Sequence, residues 1–184
     1  MEGLGRIFDV GIGWMPVDLN TANGATGKRL AMMVGRSVTF LVAVGAAASG
    51  TDDLVLNLRQ HTAYTGGTSA DLDSVGASDS TGIDHEYIKS ETLLDNDEKW
   101  VKVTQAAASE VTLVGATYAA LEKLVIISVD ARALGAGFTH ISLDAAITTA
   151  AAQLGTCLYL VHELRYQRAP TKLFNLLRPG VANA

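Results

Sequence analysis

Short segments that read as β-strands, separated by turn-forming residues, constrain the fold more than any other feature of this chain. Ser37–Val44 reads S-V-T-F-L-V-A-V and is apolar on both faces, which is typical of a central buried strand. Leu121–Asp130 has the same character, whereas Leu54–Arg59 alternates with a period of two, which indicates one dry and one wet face. Shorter strands are predicted at His85–Leu93, Trp100–Gln105, Glu110–Gly115, Phe138–Leu143 and Leu158–Tyr166. This spacing predicts an all-β single domain, a β-sandwich or a jelly-roll-like fold.

Two alanine-rich stretches could interrupt this pattern with a helical turn or a short helix: 116–123 and 145–154. The segment 62–84 is dominated by Gly, Ser, Thr and Asp, so it predicts a long surface loop. In a protein that assembles, such a loop is expected to contact neighbouring subunits.

The two ends of the chain are predicted to be arms on either side of the sandwich. Scattered glycines break the periodicity of residues 1–36, and residues 170–184 follow the last predicted strand, which leaves 37–169 as the β-sandwich domain. Exposure of apolar side chains to water is unfavourable, so those in the arms are expected to be buried on another subunit. The predicted interaction residues are Ile7, Phe8, Ile12 and Trp14 at the N-terminus, and Leu173, Phe174 and Leu177 at the C-terminus.

The composition favours a protein that covers part of its surface with partners. Charged residues make up 18% of the chain, against a usual value of about 25%, and hydrophobic residues make up 48%. An ordinary globular monomer is the alternative interpretation. The net charge is −5, yet no acid follows Glu163, while four basic residues do: Arg165, Arg168, Lys172 and Arg178. Such a tail could dock on the acidic body of a neighbouring copy.

Charge and hydropathy argue against nucleic acid and membrane as partners. Basic and aromatic residues are interleaved only at 165–168, and the rest of the chain is acidic. The longest apolar stretch, Val38–Ala48, is too short to span a bilayer. The N-terminus lacks the layout of a signal peptide, and the single cysteine, Cys157, cannot form an intramolecular disulfide. We therefore expect a protein made in a reducing cytoplasm.

No motif in the sequence predicts catalysis, a cofactor or a metal site. The stretch Gly24–Arg29 only faintly resembles a phosphate loop, and Gly76–Ser80 lacks the spacing of a nucleophile elbow. The acidic turn Asp95–Glu98 lacks the glycine and glutamate of a calcium loop. His140 and His162 alternate within predicted strands, so we expect them to form a polar pair across a sheet rather than to bind a metal. The sequence therefore predicts a protein that is not an enzyme.

Several stretches resemble small virion proteins of tailed bacteriophages. They run over residues 16–168 and comprise Pro16–Gly24, Gly27–Arg29, Val38–Val44, Trp100–Ala107, Ala152–Leu160 and Arg165–Tyr166. The resemblance implies a head decoration, or cement, protein that is a minor component of the capsid and binds the major capsid protein. Our first hypothesis is therefore a β-sandwich that self-associates, with a trimer as one candidate, and that lies in the virion capsid after synthesis in the host cytoplasm. The resemblance carries no catalytic residues.

Two other functions stay open at this point. Within the virion, the chain could be a component of the tail tube, the connector or the fibre base. Outside that class, it could be a carbohydrate-binding β-sandwich, although sugar sites generally contain surface aromatics. Only 6% of residues are aromatic, and Tyr64 is the one aromatic residue in the loop 62–84.

Overall fold

The computed structural model describes residues 3–20, 24–47, 52–72, 85–95, 97–102, 110–147, 152–173 and 175–177. Within these ranges the chain forms short β-strands, one α-helical turn, α1, at Gly115–Tyr118, and two 3-10 turns at Ala131–Ala133 and Pro170–Lys172. The strands are β1 (Phe8–Asp18), β2 (Leu30–Ala31), β3 (Ser37–Val44), β4 (Leu54–His61), β5 (Ser69–Asp71), β6 (His85–Glu91), β7 (Val101–Lys102), β8 (Glu110–Leu113), β9 (Glu122–Asp130), β10 (His140–Ile147) and β11 (Leu154–His162). None of the helical residues described forms a helix long and apolar enough to cross a membrane.

The strands form two antiparallel sheets. The six-stranded sheet has the order β1-β11-β3-β9-β6-β7. The five-stranded sheet has the order β2-β10-β4-β5, and β8 pairs with β4 along the same edge as β5. The prediction of an all-β, two-layer single domain is confirmed.

The pairing of the strands is nested along the chain. β1 pairs with β11, β2 with β10, β3 with β9 and β4 with β8. This is the order of a jelly roll, in which a long antiparallel ribbon is wrapped into two facing sheets. The pair β6–β7 widens the six-stranded sheet beyond this basic pattern.

The core lies between the sheets and is filled by alternate residues of each strand. Leu54, Leu56 and Leu58 of β4 face inward, as the period-two pattern predicts. From the opposite sheet, Phe40 packs against Tyr159, with ring centroids 6.4 Å apart and planes at 81°. This edge-to-face contact is a favourable arrangement for two aromatic rings.

Part of the predicted N-terminal arm belongs to the sandwich. β1 pairs with β11 along its length, with irregularities between Ile12 and Val17, and Trp14 is buried. The glycines that suggested an arm instead allow close packing, because a Cβ at Gly11 would lie 2.4 Å from the ring of Tyr159. An arm over residues 1–36 is therefore wrong for residues 8–18, which form an edge strand.

The described part of the C-terminal segment folds back on the domain rather than extending from it. The Ala31 N–H donates to the Leu176 carbonyl at 2.9 Å, and Leu176 packs against the core. The Arg168 N–H donates to the Gly5 carbonyl at 2.9 Å, so the two terminal segments also hold each other. Residues 178–184, the rest of the predicted arm, lie outside the described residues, as does Phe174.

The alanine-rich stretches and the long loop also differ in part from the predictions. Stretch 116–123 contains the end of the helical turn α1 and the start of β9, whereas residues 145–147 continue β10 and are not helical. The predicted loop 62–84 contains β5, which pairs with the end of β4. Its residues 73–84 lie outside the described part of the chain.

Candidate interaction surface

The side of the six-stranded sheet that faces away from the core carries a continuous row of apolar side chains. The strand register aligns one residue from each of five neighbouring strands: Ile12, Leu158, Leu41, Ile126 and Tyr87. Ile12 is 38% exposed and Leu158 is 36% exposed, and the other three are half-buried. Their neighbours along each strand point into the core, so this row lies on the solvent side. We call it the central row.

Two flanking rows extend this surface. On one side, the register aligns Val10, Leu160, Thr39 and Ser128, and on the other it aligns Thr156, Ala43 and Leu124. The hydroxyls of Thr39 and Ser128 lie 2.9 Å apart and hydrogen-bond to each other. Because these polar atoms already have partners, the three rows present mainly carbon to the solvent. We refer to the three rows together as the outer face.

The outer face is uncharged over four of its five strands. The members of the rows on β1, β11, β3 and β9 include neither acids nor basic side chains. Asp9, which lies on β1 between the outward residues Phe8 and Val10, is buried, and its burial raises the pKa of its carboxyl group. The first charge appears on β6, where the Lys89 Nζ lies 5.3 Å from the centre of the Trp100 ring. Depletion of charge is typical of the core of a protein interface.

The predicted interaction residues are distributed unevenly on this structure. Ile12 lies in the central row, Ile7 is 57% exposed just before β1, and Phe8 is half-buried. Trp14 is only 5% exposed, so its predicted role as a surface anchor is wrong. Leu173 and Leu177 are half-buried in the segment that folds back, and their contact with a partner stays a prediction.

Sequence reasoning missed most of the outer face: Leu41, Ile126, Leu158 and Leu160. The sequence did contain a signal, namely the apolar character of both faces of β3 and β9. That signal predicted that both strands are completely buried. Instead each buries one face and leaves the other half-exposed, as the alternating burial of β9 illustrates. The two layers of the described chain leave that second face outside the sandwich.

The corresponding side of the five-stranded sheet has a different chemistry, centred on His61. Its Nδ1 lies 2.7 Å from the Ser69 Oγ and its Nε2 lies 2.9 Å from the Ser142 Oγ. Burial lowers the pKa of His61 to about 4, and the nearby charges of Arg29 and Arg59 contribute in the same direction. The imidazole is therefore neutral near pH 7.

Arg29 and Asp144 extend this polar network to the surrounding loops. The Gly27 N–H donates to the Asp144 Oδ1 at 2.7 Å, and the Arg29 guanidinium donates to the carbonyls of Ala63 and Gly66 at 3.0 and 2.7 Å. These bonds fasten the segment before β2 and the loop after β4 to the sheet. Within 24–29, the stretch that faintly resembles a phosphate loop, Gly27 and Arg29 make these structural hydrogen bonds.

The contact between Ser142 and His61 in this network is closed to a substrate. A nucleophile and its base need hydrogen-bond contact and also room for a substrate. His61 is 4% exposed and Ser142 is 1% exposed, so a substrate cannot reach them in this conformation. A hollow of about 210 Å³ lies nearby, and Asn57, Glu110 and Asp144 are among its lining residues. The described residues that line it include no aromatic side chain, which a sugar site generally provides.

Two further predictions about polar residues can be compared with the structure. His140 and His162 lie in different sheets, so the predicted cross-strand pair is wrong; the residue opposite His140 is His61. Carboxylate oxygens of Asp95, Asp97 and Glu98 lie within 4.8 Å of one another. Asp95 and Asp97 are exposed, and the acids bond to backbone N–H groups of their own turn, which is the geometry of a turn rather than evidence of an ion.

The two sheets thus differ on their solvent sides. One carries polar groups bonded to one another, and the other carries apolar side chains in register. Comparisons of the chain with protein-family models, with curated proteins and with solved structures find no match.

Proposed function

We propose that this chain is a non-enzymatic structural protein that works by assembling with other protein subunits. The observation that supports the proposal is the outer face, whose central row is apolar and whose three rows are uncharged across four strands. A sizeable contiguous apolar patch on a soluble protein commonly marks an interaction site. The chemically versatile side chains around His61, by contrast, are used within the chain.

The more specific proposal is a decoration, or cement, protein of a tailed-bacteriophage head, located in the virion capsid. Its partner there is the major capsid protein. The resemblance of residues 16–168 to phage virion proteins supports this assignment. The jelly-roll strand order supports it at the level of architecture, because capsid domains use this fold, although lectins and cupins use it as well.

Cementing is a multivalent process, in which many copies each contribute a modest contact. Terminal apolar residues remain candidates for contacts with the shell: Ile7, Phe8, Leu173 and Leu177. Because β1 belongs to the sandwich, removing residues 1–15 would also remove the buried Trp14. Point substitutions therefore test these contacts better than truncation does.

The test is to add the purified protein to phage shells that lack it. We expect saturable binding and a higher melting temperature of the shells. Ile7→Glu should weaken this binding at least tenfold, since it places a charge in an apolar contact. Met33→Glu is the matched control, because Met33 is 61% exposed in the segment between β2 and β3.

Other outcomes would redirect the proposal. A folded protein that does not bind shells contradicts the cement function. If the purified protein forms rings or tubes, a role in the tail tube, the connector or the fibre base takes its place. Specific binding on a glycan array would instead favour the carbohydrate-binding alternative.

A further inference from the structure

The two middle strands of the six-stranded sheet, β3 and β9, have in their central parts the sequence of strands covered on both faces. In an antiparallel sheet with one wet face, apolar and polar residues alternate along each strand. β4 follows this rule, with Asn57 between two buried leucines and Arg59 after the last of them. The middle of β3 and of β9 does not, because Leu41 and Ile126 lie on the solvent side between core residues, whereas Glu122 and Asp130 at the ends of β9 are polar. Their composition therefore calls for a covering layer that the two described layers do not supply.

We propose that the outer face is covered by the outer face of a second copy of this chain, packed sheet against sheet. The inference rests on the proposed function, in that the chain works by assembly, and it names one partner and one surface. Facing sheets pack about 10 Å apart, with side chains of the two layers interdigitating.

The distribution of charge directs a second copy to this face and disfavours a basic partner there. Each chain carries a net charge of −5, so two copies repel each other over most of their surfaces. The outer face on β1, β11, β3 and β9 has no acidic member, so two copies can meet there without opposing carboxylates. A basic partner would bind elsewhere, because this face offers no negative charge to attract it.

The outer face together with its margin approaches the size of a specific contact. Strands lie about 4.8 Å apart, and outward residues of one strand repeat about every 6.8 Å, so the residues of the three rows cover about 400 Å². Two copies would then bury about 800 Å² in total from the rows alone, against about 1,000 Å² for a biological interface. The exposed residues at the margin, such as Met15, would add to this area.

The expected assembly is a two-fold dimer. When the same patch meets itself, the contact is isologous, and the two copies are related by a two-fold axis. Leu41 on β3 is the middle member of the central row, and Leu158 lies directly beside it on β11, so both are expected near that axis. A substitution there affects both copies at the same contact.

The first experiment measures the mass of the full-length chain by size-exclusion chromatography with light scattering over a range of concentrations. We expect a dimer for the unmodified chain, and a monomer for Leu158→Glu, with its dissociation constant raised at least a hundredfold. Leu93→Glu is the control, because Leu93 is 67% exposed just after β6 and outside the outer face, and it should leave the dimer intact. Circular dichroism checks that each variant keeps its β structure.

A second variant covers the case in which Leu158→Glu does not fold. Ala43→Glu places a carboxylate on an exposed position of a flanking row and removes little buried apolar area. It should also yield a monomer. An unmodified chain that stays monomeric at every concentration overturns the inference. So does a folded variant that keeps the mass of the unmodified chain.

Binding of the same proteins to shells separates this inference from the proposed function. A dimer that ignores shells contradicts the cement function and leaves the dimer contact standing. A monomeric Leu158→Glu that still binds shells, with lower avidity, supports both. If Leu158→Glu stays dimeric but loses shell binding, the outer face contacts the shell, and the inference is overturned.

Discussion

The solvent sides of the two sheets differ in chemistry: polar side chains are hydrogen-bonded within the chain on one, and apolar side chains are partly exposed on the other. On the five-stranded sheet, His61 hydrogen-bonds to Ser69 and to Ser142, and Arg29 ties the adjacent loop to the sheet. On the six-stranded sheet, apolar residues from five strands are aligned in a row and are partly exposed. The polar groups of the first side have partners within the chain, whereas the apolar side chains of the second stay partly exposed, and we propose that a second copy covers them.

This contrast shows that exposure and chemistry must be considered together when a functional surface is sought. A buried serine–histidine contact has the atoms of an active site but no room for a substrate. The partly exposed central row has no reactive groups, yet burying it would stabilise a complex by about 25 cal/mol for each Å² of apolar surface removed from water. Covering the solvent side of the six-stranded sheet would therefore gain more free energy than covering that of the five-stranded sheet.

The largest expected effect comes from two neighbouring residues on opposite faces of β3. Phe40 is 1% exposed, so Phe40→Ala should lower the free energy of unfolding by about 3–5 kcal/mol. Leu41→Ala removes an outward side chain and should cost about 1 kcal/mol or less in the monomer. Urea denaturation at low protein concentration measures both. Equal costs would mean that Leu41 is packed within the monomer.

The polar side should respond to acid, because His61 is neutral in the folded state. Its folded pKa of about 4 lies below the unfolded value of 6.5, so the unfolded state binds the proton first as the pH falls. The contribution of His61 to the free energy of unfolding is fully present above pH 6.5. It is lost as the pH falls to about 4, and the loss is about 3 kcal/mol. The free energy of unfolding, measured over this range, should decrease accordingly.

The matched variant for the acid response is His61→Gln, which cannot titrate. The comparison of the two proteins is needed because other groups titrate nearby. Burial lowers the pKa values of His140 and His162, which adds to the loss, and raises those of Asp9 and Asp144, which opposes it. A variant with the same pH dependence as the unmodified chain would contradict the role of His61.

A smaller effect tests whether β1 is an integral strand. Gly11→Ala should cost about 1–3 kcal/mol, because the new Cβ would lie 2.4 Å from the Tyr159 ring. Gly45→Ala is the control, since its Cβ would lie 3.7 Å from the nearest atom, the Leu154 carbonyl oxygen, which is an ordinary contact. Thermal denaturation compares the two. If both variants melt alike, β1 is packed more loosely than described.

The smallest effect is expected from an ion pair at the end of the six-stranded sheet. Arg36 and Glu163 lie 3.5 Å apart, and their side chains are 60% and 62% exposed. Exposed pairs of this kind contribute about 0–1 kcal/mol. Arg36→Gln should therefore change the midpoint of urea denaturation very little, and a large change would point to a partner for Arg36 in the assembly.

The sequence predicted the central strands of the fold well and the edges poorly. β3 was predicted with its observed bounds, and β4 and β9 nearly so, because apolar character or period-two alternation marks them clearly. β1 was missed because two glycines and irregular pairing hide its alternation. Only the tertiary structure could reveal that those glycines make room for Tyr159 and Cys157.

The candidate surface was predictable only in part, for a physical reason. Apolar residues on both faces of β3 and β9 indicated burial, but a strand's own sequence does not specify which layer covers each face. The central row joins residues that are far apart in the chain, such as Ile12 and Leu158, and the strand register alone brings them together.

What the sequence determined by itself was the class of fold, because the period of the apolar pattern and the turn residues between the segments are local properties. What only the tertiary structure decided was which residues meet. It buried Trp14, placed His61 rather than His162 opposite His140, and aligned the outer face across five strands. Register and layer packing depend on contacts between distant segments, and no local pattern contains them.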